Sequence, residues 1–453
     1  MTAPQVPATL PLITGLGLDE VFAWLPEGPR RVRDFLAEAE ALAARLPAGG
    51  ALLNLCHDRY RFAVGFAAGL MSGKTSLQPA SRSADTLRRI RAEHPDLVCL
   101  CDDDVDTLDL PRVAFPDSTA ADPRRVAGIA RIPADRVAAI LFTSGSTGRP
   151  QPQAKTWGGL VASGRAEAAA LGLDRTPHVL VGTVPVQHSY GFESTLLLAL
   201  HGGCPLWSGK PFFAQDIAAA LRAVPRPRLL VTTPFHLSAL LASGVELPAI
   251  DRWLSATAPL STELAVAAEA QSGTPLHEIY GSTESGQLAS RRTTEGPAWT
   301  LLPGVRLEQS GGTTTACGGH VQGRTPLSDV IELLPDRRFL LHGRHADLVN
   351  VAGKRTSLAY LNHQIAGVPG VRDAAFFMPD DPGLGRVTRL TAFVVAPTLT
   401  RRQLIEALRQ RIDAIFLPRP PIFVDVLPRD ATGKLPRDAL QALYAEKLRH
   451  AGR

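Results

Sequence analysis

Along most of its length the chain alternates short apolar runs with longer Ala-rich stretches. ALLNLC precedes RFAVGFAAGLM, AAILFTSG precedes GGLVASGRAEAAALG, HVLVGTVP precedes STLLLALHGG, and PRLLVTT precedes FHLSALLASG. A short apolar run bounded by turn residues predicts a buried strand, and its longer partner predicts a helix. Repetition of that pair predicts βα units around a largely parallel sheet. After about Pro297 the texture changes to short strand-like pieces with Gly-rich turns, such as GGTTTACGGHVQGR and VIELLPDRRFLLHGR. The tail holds strands in AAFFMPD and RLTAFVVAP, a helix in RRQLIEALRQRI and a Pro-rich loop. The expected fold class is therefore α/β, with a large multi-layer N-terminal domain built of βα units and a small α+β C-terminal domain. A chain of 453 residues is long enough for two such units, and no internal repeat is evident.

Composition adds bounds. Hydrophobic residues make up 45% and charged residues 20%, ordinary for a chain that buries a large core. The longest clean apolar stretch, Phe62 to Met71, is too short for a bilayer, so no membrane span is expected. The first basic residue is Arg30, which leaves no positive leader of the secretory kind. Five scattered cysteines make no disulfide framework, and a reducing cytoplasm is the expected setting. Cys99 and Cys101 lack a second Cys/His pair at zinc spacing and are read as strand residues. From Arg401 to Arg453 there are eleven Lys/Arg against six Asp/Glu, which accounts for the whole formal charge of +5. That stretch is either a solvated helical surface or a docking face for an acidic partner. Nucleic acid is disfavoured, because no aromatic-interleaved basic motif accompanies the charge.

The chemistry concentrates in a few segments. LFTSGSTGRP (Leu141 to Pro150) follows an apolar strand and precedes a helical pattern. Thr143, Ser144, Ser146 and Thr147 supply hydroxyl donors there, while Gly145 and Gly148 let backbone N–H groups turn toward an anion. This suits phosphate, yet it is no P-loop, because no Gly-Lys-Ser/Thr ends it. Gly73-Lys74-Thr75 is discounted as well, since Ala68 stands where the Walker spacing requires glycine. No Gly-x-Ser-x-Gly elbow of a serine hydrolase occurs.

TSGSTGRP resembles the phosphate-binding loop of the adenylate-forming superfamily, which includes acyl-CoA synthetases, peptide-synthetase adenylation domains and luciferases. Three further segments resemble that family's motifs in their order: YGSTE (Tyr280 to Glu284), LHGRHADLVNVAGKR (Leu341 to Arg355) and PRDATGKLPR (Pro428 to Arg437). The resemblance implies that ATP and Mg²⁺ are used. Residues Thr143 to Gly148 would cradle the phosphates, Tyr280 would stack on adenine, and Gly281 and Ser282 would complete that motif. Thr283 would hydrogen-bond the α-phosphate, Glu284 would hold Mg²⁺, and Asp329, assisted by Arg344, would bind the ribose. Lys434 would be the catalytic lysine of adenylation, since a lysine bridging the attacking carboxylate and the α-phosphate stabilises the charge that builds between two anions.

By the same resemblance, an adenylation domain over residues 1–343 is joined by a hinge at 344–347 to a mobile lid domain at 348–453. Ala346 and Asp347 lie in that hinge, with Ala346 where many relatives carry an acidic residue or lysine, and Gly353 would line the thiol channel. PVQHSYGFE (Pro185 to Glu193) takes the place of the acyl-pocket segment. His188 would gate the pocket or contact the substrate carboxylate, although a lone His in an apolar run is more often a satisfied core residue. Tyr190 and Phe192 either wall a flat aromatic acid or belong to the core. Ser255, Ala256, Thr257 and Ala258 would back the adenine and the acyl group.

Two departures narrow the resemblance. Many relatives continue the phosphate loop with Pro-Lys-Gly-Val, whereas this chain reads Pro150-Gln151-Pro152-Gln153-Ala154-Lys155, so Lys155 is the nearest substitute. The chain is also compact, and so resembles stand-alone acyl- or aryl-acyl carrier protein ligases such as the 4-hydroxybenzoate ligases of xanthomonadin-type aryl-polyene pathways. The expected reaction forms acyl-AMP from a carboxylic acid and then transfers the acyl group to an acyl carrier protein, with coenzyme A as the alternative acceptor. A catalytically silent binding module is the rival reading. Retention of Lys434, Glu284, Asp329 and Arg344 together argues against it.

Overall fold

The computed structural model describes residues 8–79, 84–102, 111–116, 121–142, 151–344, 348–351, 354–379, 390–430 and 433–451. Among these, two large sheets share the main core. In the six-stranded sheet, Ala51–Asn54, Thr75–Gln78, Val98–Cys101 and Val137–Phe142 run parallel and are almost wholly buried. Cys99 and Cys101 lie inside this sheet, and all five cysteines are buried. Pro152–Thr156 closes one edge antiparallel to Val137–Phe142. The polar sequence PQAKT carries no apolar strand signal. It pairs because an edge strand needs to satisfy one side only.

In the eleven-stranded sheet the parallel half runs from Val21–Leu25 through Leu206–Trp207, Val179–Gly182, Arg228–Thr232 and Arg252–Ser255 to Leu276–Ser282. It continues antiparallel through Gly286–Arg292, Trp299–Leu301, Arg338–Arg344 and Asp329–Leu334. The Gly-rich region predicted after Pro297 thus supplies the last three of these strands and a three-stranded sheet of Arg306–Ser310, Thr313–Gly318 and Val321–Leu327. The STLLLALHGG helix differs in kind from the expectation. Phe192–Leu197 winds as a π-helix before α-helix resumes at Leu198–His201. Such a wide turn leaves no mark on apolar periodicity in so short a run.

Helix Arg59–Met71 lies between the sheets and is buried on nearly all sides, as the apolar run from Phe62 to Met71 requires. It begins with the Asp58 side chain accepting from the Arg61 N–H at 2.9 Å. Arg59, 1% exposed, donates to the carbonyls of Gly182, Val184, Trp207 and Gly209 at 3.1, 2.9, 3.2 and 2.7 Å. It thereby ties the helix to the second sheet. Lys74, of the discounted Gly-Lys-Thr, is spent in the same manner, donating to the carbonyls of Pro47 and Gly49.

The C-terminal region has its own core, in which Leu361, Ile365, Phe376, Val394, Leu404 and Leu408 pack together. Strands Asp373–Phe377 and Thr391–Val395 pair antiparallel, with Pro421–Phe423 parallel to the second. Helices Leu358–Ala366, Arg401–Arg409 and Arg437–Ala451 accompany them. Thr400 and Gln403 form a capping box at the start of the second helix. Among the described residues no helix is long and apolar enough to cross a membrane.

Candidate active site

The carboxyl ends of neighbouring parallel strands converge on one edge of the large sheet, the usual ligand edge of open α/β sheets. Thr183 follows Val179–Gly182, Thr232 and Thr233 end and follow Arg228–Thr232, and Ser255 ends the next strand. Buried Thr183 donates to Thr232 at 3.1 Å, and the His236 Nδ1 lies 3.3 Å from the Thr183 hydroxyl and 3.1 Å from that of Thr233. Burial drives the His236 pKa down to about 4, so the ring is neutral at ordinary pH. The Ser255 hydroxyl is fully buried and has no hydrogen-bond partner among the described residues. Two residues on, Thr257 holds φ at 80°, a left-handed conformation that is strained for a β-branched residue. Ser255 to Ala258 therefore stand together at the sheet edge, with a spare hydroxyl and stored strain.

The YGSTE segment ends strand Leu276–Ser282 and turns into Gly286–Arg292. Reciprocal bonds fix the turn: the Ser282 N–H donates to the Ser285 hydroxyl and the Ser285 N–H to the Ser282 hydroxyl, both at 3.2 Å. Gly281 is required by space, because a Cβ there would lie 2.3 Å from the Gly286 carbonyl oxygen. Half-buried Thr283 and exposed Glu284 stand at the tip. The Tyr280 ring packs against Trp299 and Phe339, each 5.6 Å away between centroids, and its hydroxyl donates to Asp329 Oδ2 at 2.9 Å. Asp329 pairs in backbone register with Arg344. Tyr280, Asp329 and Arg344, far apart in sequence, are thus neighbours. Asp329 also borders an open cleft lined by Gln309, Ser310, Gly311, Thr314 and Ile331.

Sequence reasoning missed a polar cluster behind this turn. The Lys155 Nζ reaches from the edge strand and donates to the Glu284 carbonyl at 2.8 Å; burial lowers its pKa, opposed by the charges of Glu193 and Glu284. Glu193, buried in the π-helix, accepts from the Ser189 hydroxyl at 3.1 Å, and burial raises its pKa to about 7. Glu167 accepts from the Ser194 hydroxyl at 2.6 Å, Gln287 donates to that same hydroxyl, and burial raises the Glu167 pKa to about 8. The available signal was an acidic residue inside each of the apolar runs GRAEAAALG and GFESTLLL.

Lys434 is exposed and sits at the end of a turn that its own domain holds. The Gly433 N–H donates to the Asp430 carbonyl at 2.9 Å, and the Lys434 N–H to Asp430 Oδ1 at 3.0 Å. Arg429 makes a bidentate pair with Asp373 at 2.8 and 2.6 Å and also donates to the Gly433 carbonyl at 2.8 Å. Gly433 faces the large lobe: a Cβ there would lie 3.0 Å from the Phe235 Cβ and 3.6 Å from the Thr233 hydroxyl. The lysine turn therefore rests beside the strand end that carries Thr232 and Thr233.

In the acyl-pocket segment, His188 is half-buried just ahead of the turn Ser189–Gly191. Tyr190 is buried, and its hydroxyl donates to the Leu254 carbonyl at 2.9 Å. Phe192 is 0% exposed and 5.3 Å from the ring of Phe66, in keeping with the core alternative of its two readings. Thr143, Ser144, Gly145, Ser146, Thr147 and Gly148 lie outside the described residues, as do Ala346, Asp347 and Gly353.

Comparison with known proteins agrees with this architecture. The model of the AMP-binding enzyme family matches residues 39–314, and that of the AMP-binding enzyme C-terminal domain matches residues 362–434. The chain belongs to the AMP-binding enzyme family. It is an adenylate-forming ligase. A 4-coumarate–CoA ligase of Rhodobacter capsulatus is 30% identical over 319 residues, covering 68% of this chain and 79% of that protein. A 2-succinylbenzoate–CoA ligase of Staphylococcus aureus is 25% identical, covering 68% and 67%. Among solved structures, ATP-bound MatB from Rhodopseudomonas palustris superposes with a TM-score of 0.80 at 20% identity, covering 94% of this chain and 97% of that one. The anthranilate CoA ligase AuaEII, in complex with anthranoyl-AMP, gives 0.79 at 17% identity, covering 96% and 99%. These two establish the shared fold.

Proposed function

We propose that this enzyme activates a compact aromatic carboxylic acid of the 4-hydroxybenzoate kind and passes the acyl group to a phosphopantetheine thiol. The observation that carries the aromatic reading is the similarity to relatives named for 4-coumarate and 2-succinylbenzoate. In the first step the substrate carboxylate oxygen attacks the α-phosphorus of ATP and pyrophosphate departs. Lys434 neutralises the charge between the two anions, and Thr283 donates to the α-phosphate. Asp329 accepts from the ribose hydroxyls, oriented by the Tyr280 hydroxyl, with Arg344 beside it and the adenine against Tyr280. One exposed carboxylate, Glu284, beside a hydroxyl fits Mg²⁺, which usually takes one or two carboxylates and completes its shell from substrate phosphates and water. When bound, the ion offsets triphosphate charge. In the second step the thiolate attacks the acyl carbonyl and AMP departs, with His188 at the acyl side, Gly353 lining the thiol channel, and the small domain reoriented about residues 344–347.

Coenzyme A is the acceptor that the names of the relatives favour. An acyl carrier protein is favoured by Arg401, Arg402 and Arg409, which are exposed along one short helix and offer a basic face to an acidic partner. Acid-dependent ATP–pyrophosphate exchange across benzoates, cinnamates and straight-chain fatty acids tests the first half, and thioester formation on coenzyme A against a holo-carrier protein tests the second. Exchange confined to fatty acids would end the aromatic reading. Equal use of both thiols would end the carrier preference.

A further inference from the structure

We infer that Lys155 is a positioning residue for adenylation, fixing the Glu284 end of the Tyr280–Glu284 turn from the edge strand. The inference rests on the reading of Glu284 as the metal-side group of this site.

Lys155 donates to the backbone carbonyl of Glu284, which leaves that residue's carboxylate unspent. The contact joins edge strand Pro152–Thr156 of one sheet to the turn that follows Leu276–Ser282 of the other. The far end of the turn rests on the same cluster: a Cβ on Gly286 would lie 3.4 Å from His320 Cδ2 and 3.8 Å from Glu193 Oε1. Those are ordinary contact distances, so the turn packs directly on this support, and glycine is favoured at 286 by its left-handed φ of 72°.

The groups around Lys155 come from several elements. Glu284 stands on the turn, Glu193 on the π-helix and Glu167 on helix Trp157–Ala170, linked through Ser194 and Gln287. His320 meets the Gln287 carbonyl at 2.5 Å, and burial lowers its pKa to about 4, which keeps it uncharged. An apolar side chain at 155 would release the Glu284 carbonyl. An arginine would keep the charge and a donor.

The test compares Lys155→Met, Lys155→Arg and Glu284→Gln. Hydrogen exchange of the amides of residues 283–286 in the free protein should quicken about tenfold or more in Lys155→Met. Acid-dependent ATP–pyrophosphate exchange should fall about tenfold or more, while thioester formation from preformed acyl-adenylate stays at the wild-type rate. Lys155→Arg should recover most of both losses. Unchanged protection and exchange in a folded Lys155→Met protein would overturn the inference, as would equal loss of both half-reactions without rescue by arginine. Calorimetry of MgATP binding to Glu284→Gln separates the two claims. Unweakened binding there removes the metal-side reading, whereas weakened binding beside an unaffected Lys155→Met removes the inference alone.

Discussion

The nucleotide turn and the lysine turn are both short polar loops, but they are held in opposite ways. The Tyr280–Gly286 turn is fastened from across the large lobe: by Lys155 of the edge strand, by Trp299 and Phe339 behind the tyrosine, and by Asp329. The Lys434 turn is fastened by its own small domain, through Asp430 and the Arg429–Asp373 pair, and it meets the large lobe at a glycine. One belongs to a fixed frame. The other is held within its own domain, as the proposed reorientation of that domain between half-reactions would require.

Substitutions on either side test that contrast. Lys434→Ala should lower adenylation by orders of magnitude, read as ATP–pyrophosphate exchange, while acyl transfer from preformed acyl-adenylate largely survives. Equal loss of both steps would mean that the lysine turn does more than serve the first reaction. Arg429→Met removes a partly buried bidentate pair worth about 1–3 kcal/mol and should slow adenylation about tenfold, with ATP affinity by calorimetry little changed. Tyr280→Phe keeps the ring and loses one hydrogen bond of about 1 kcal/mol. Its expected mark is a roughly fivefold rise in the KM for ATP with little change in kcat.

The frame should also carry a pH signature. Burial raises Glu167 to about 8, so the folded protein keeps a proton there that the unfolded chain releases near the ordinary glutamate pKa of about 4.3. That proton's contribution to stability is fully present below the unfolded value and is lost as pH rises through the folded one. Glu167→Gln should therefore flatten part of the decline in Tm between about pH 5 and 8 relative to wild type.

Legibility followed burial. The parallel strands were readable because a strand covered on both faces must be apolar, as in ALLNLC and HVLVGTV. The Pro152–Thr156 strand was not, because one paired side and a solvated face leave its composition free. The site came through motif resemblance more than pattern: nothing in the spacing of Tyr280 and Asp329 shows that the two touch, since the contact depends on how Leu276–Ser282 and Asp329–Leu334 are arranged within one sheet. Phe192 was ambiguous because a wall and a core residue have the same chemistry, and only the winding of its helix sends the ring to Phe66. Glu167 and Glu193 were visible as misfits in apolar runs, but a misfit does not name its partners.

Arg59 bears on how the molecule is made. Its guanidinium leaves the ribosome early, whereas the four carbonyls that receive it belong to residues 182, 184, 207 and 209. At typical elongation speeds the wait is roughly ten to thirty seconds. Until those carbonyls arrive, a charged group in the helix between the sheets has no dry place to go, so the first sheet cannot close over it. The burial of Arg59 is therefore completed only by acceptors that are made long after it.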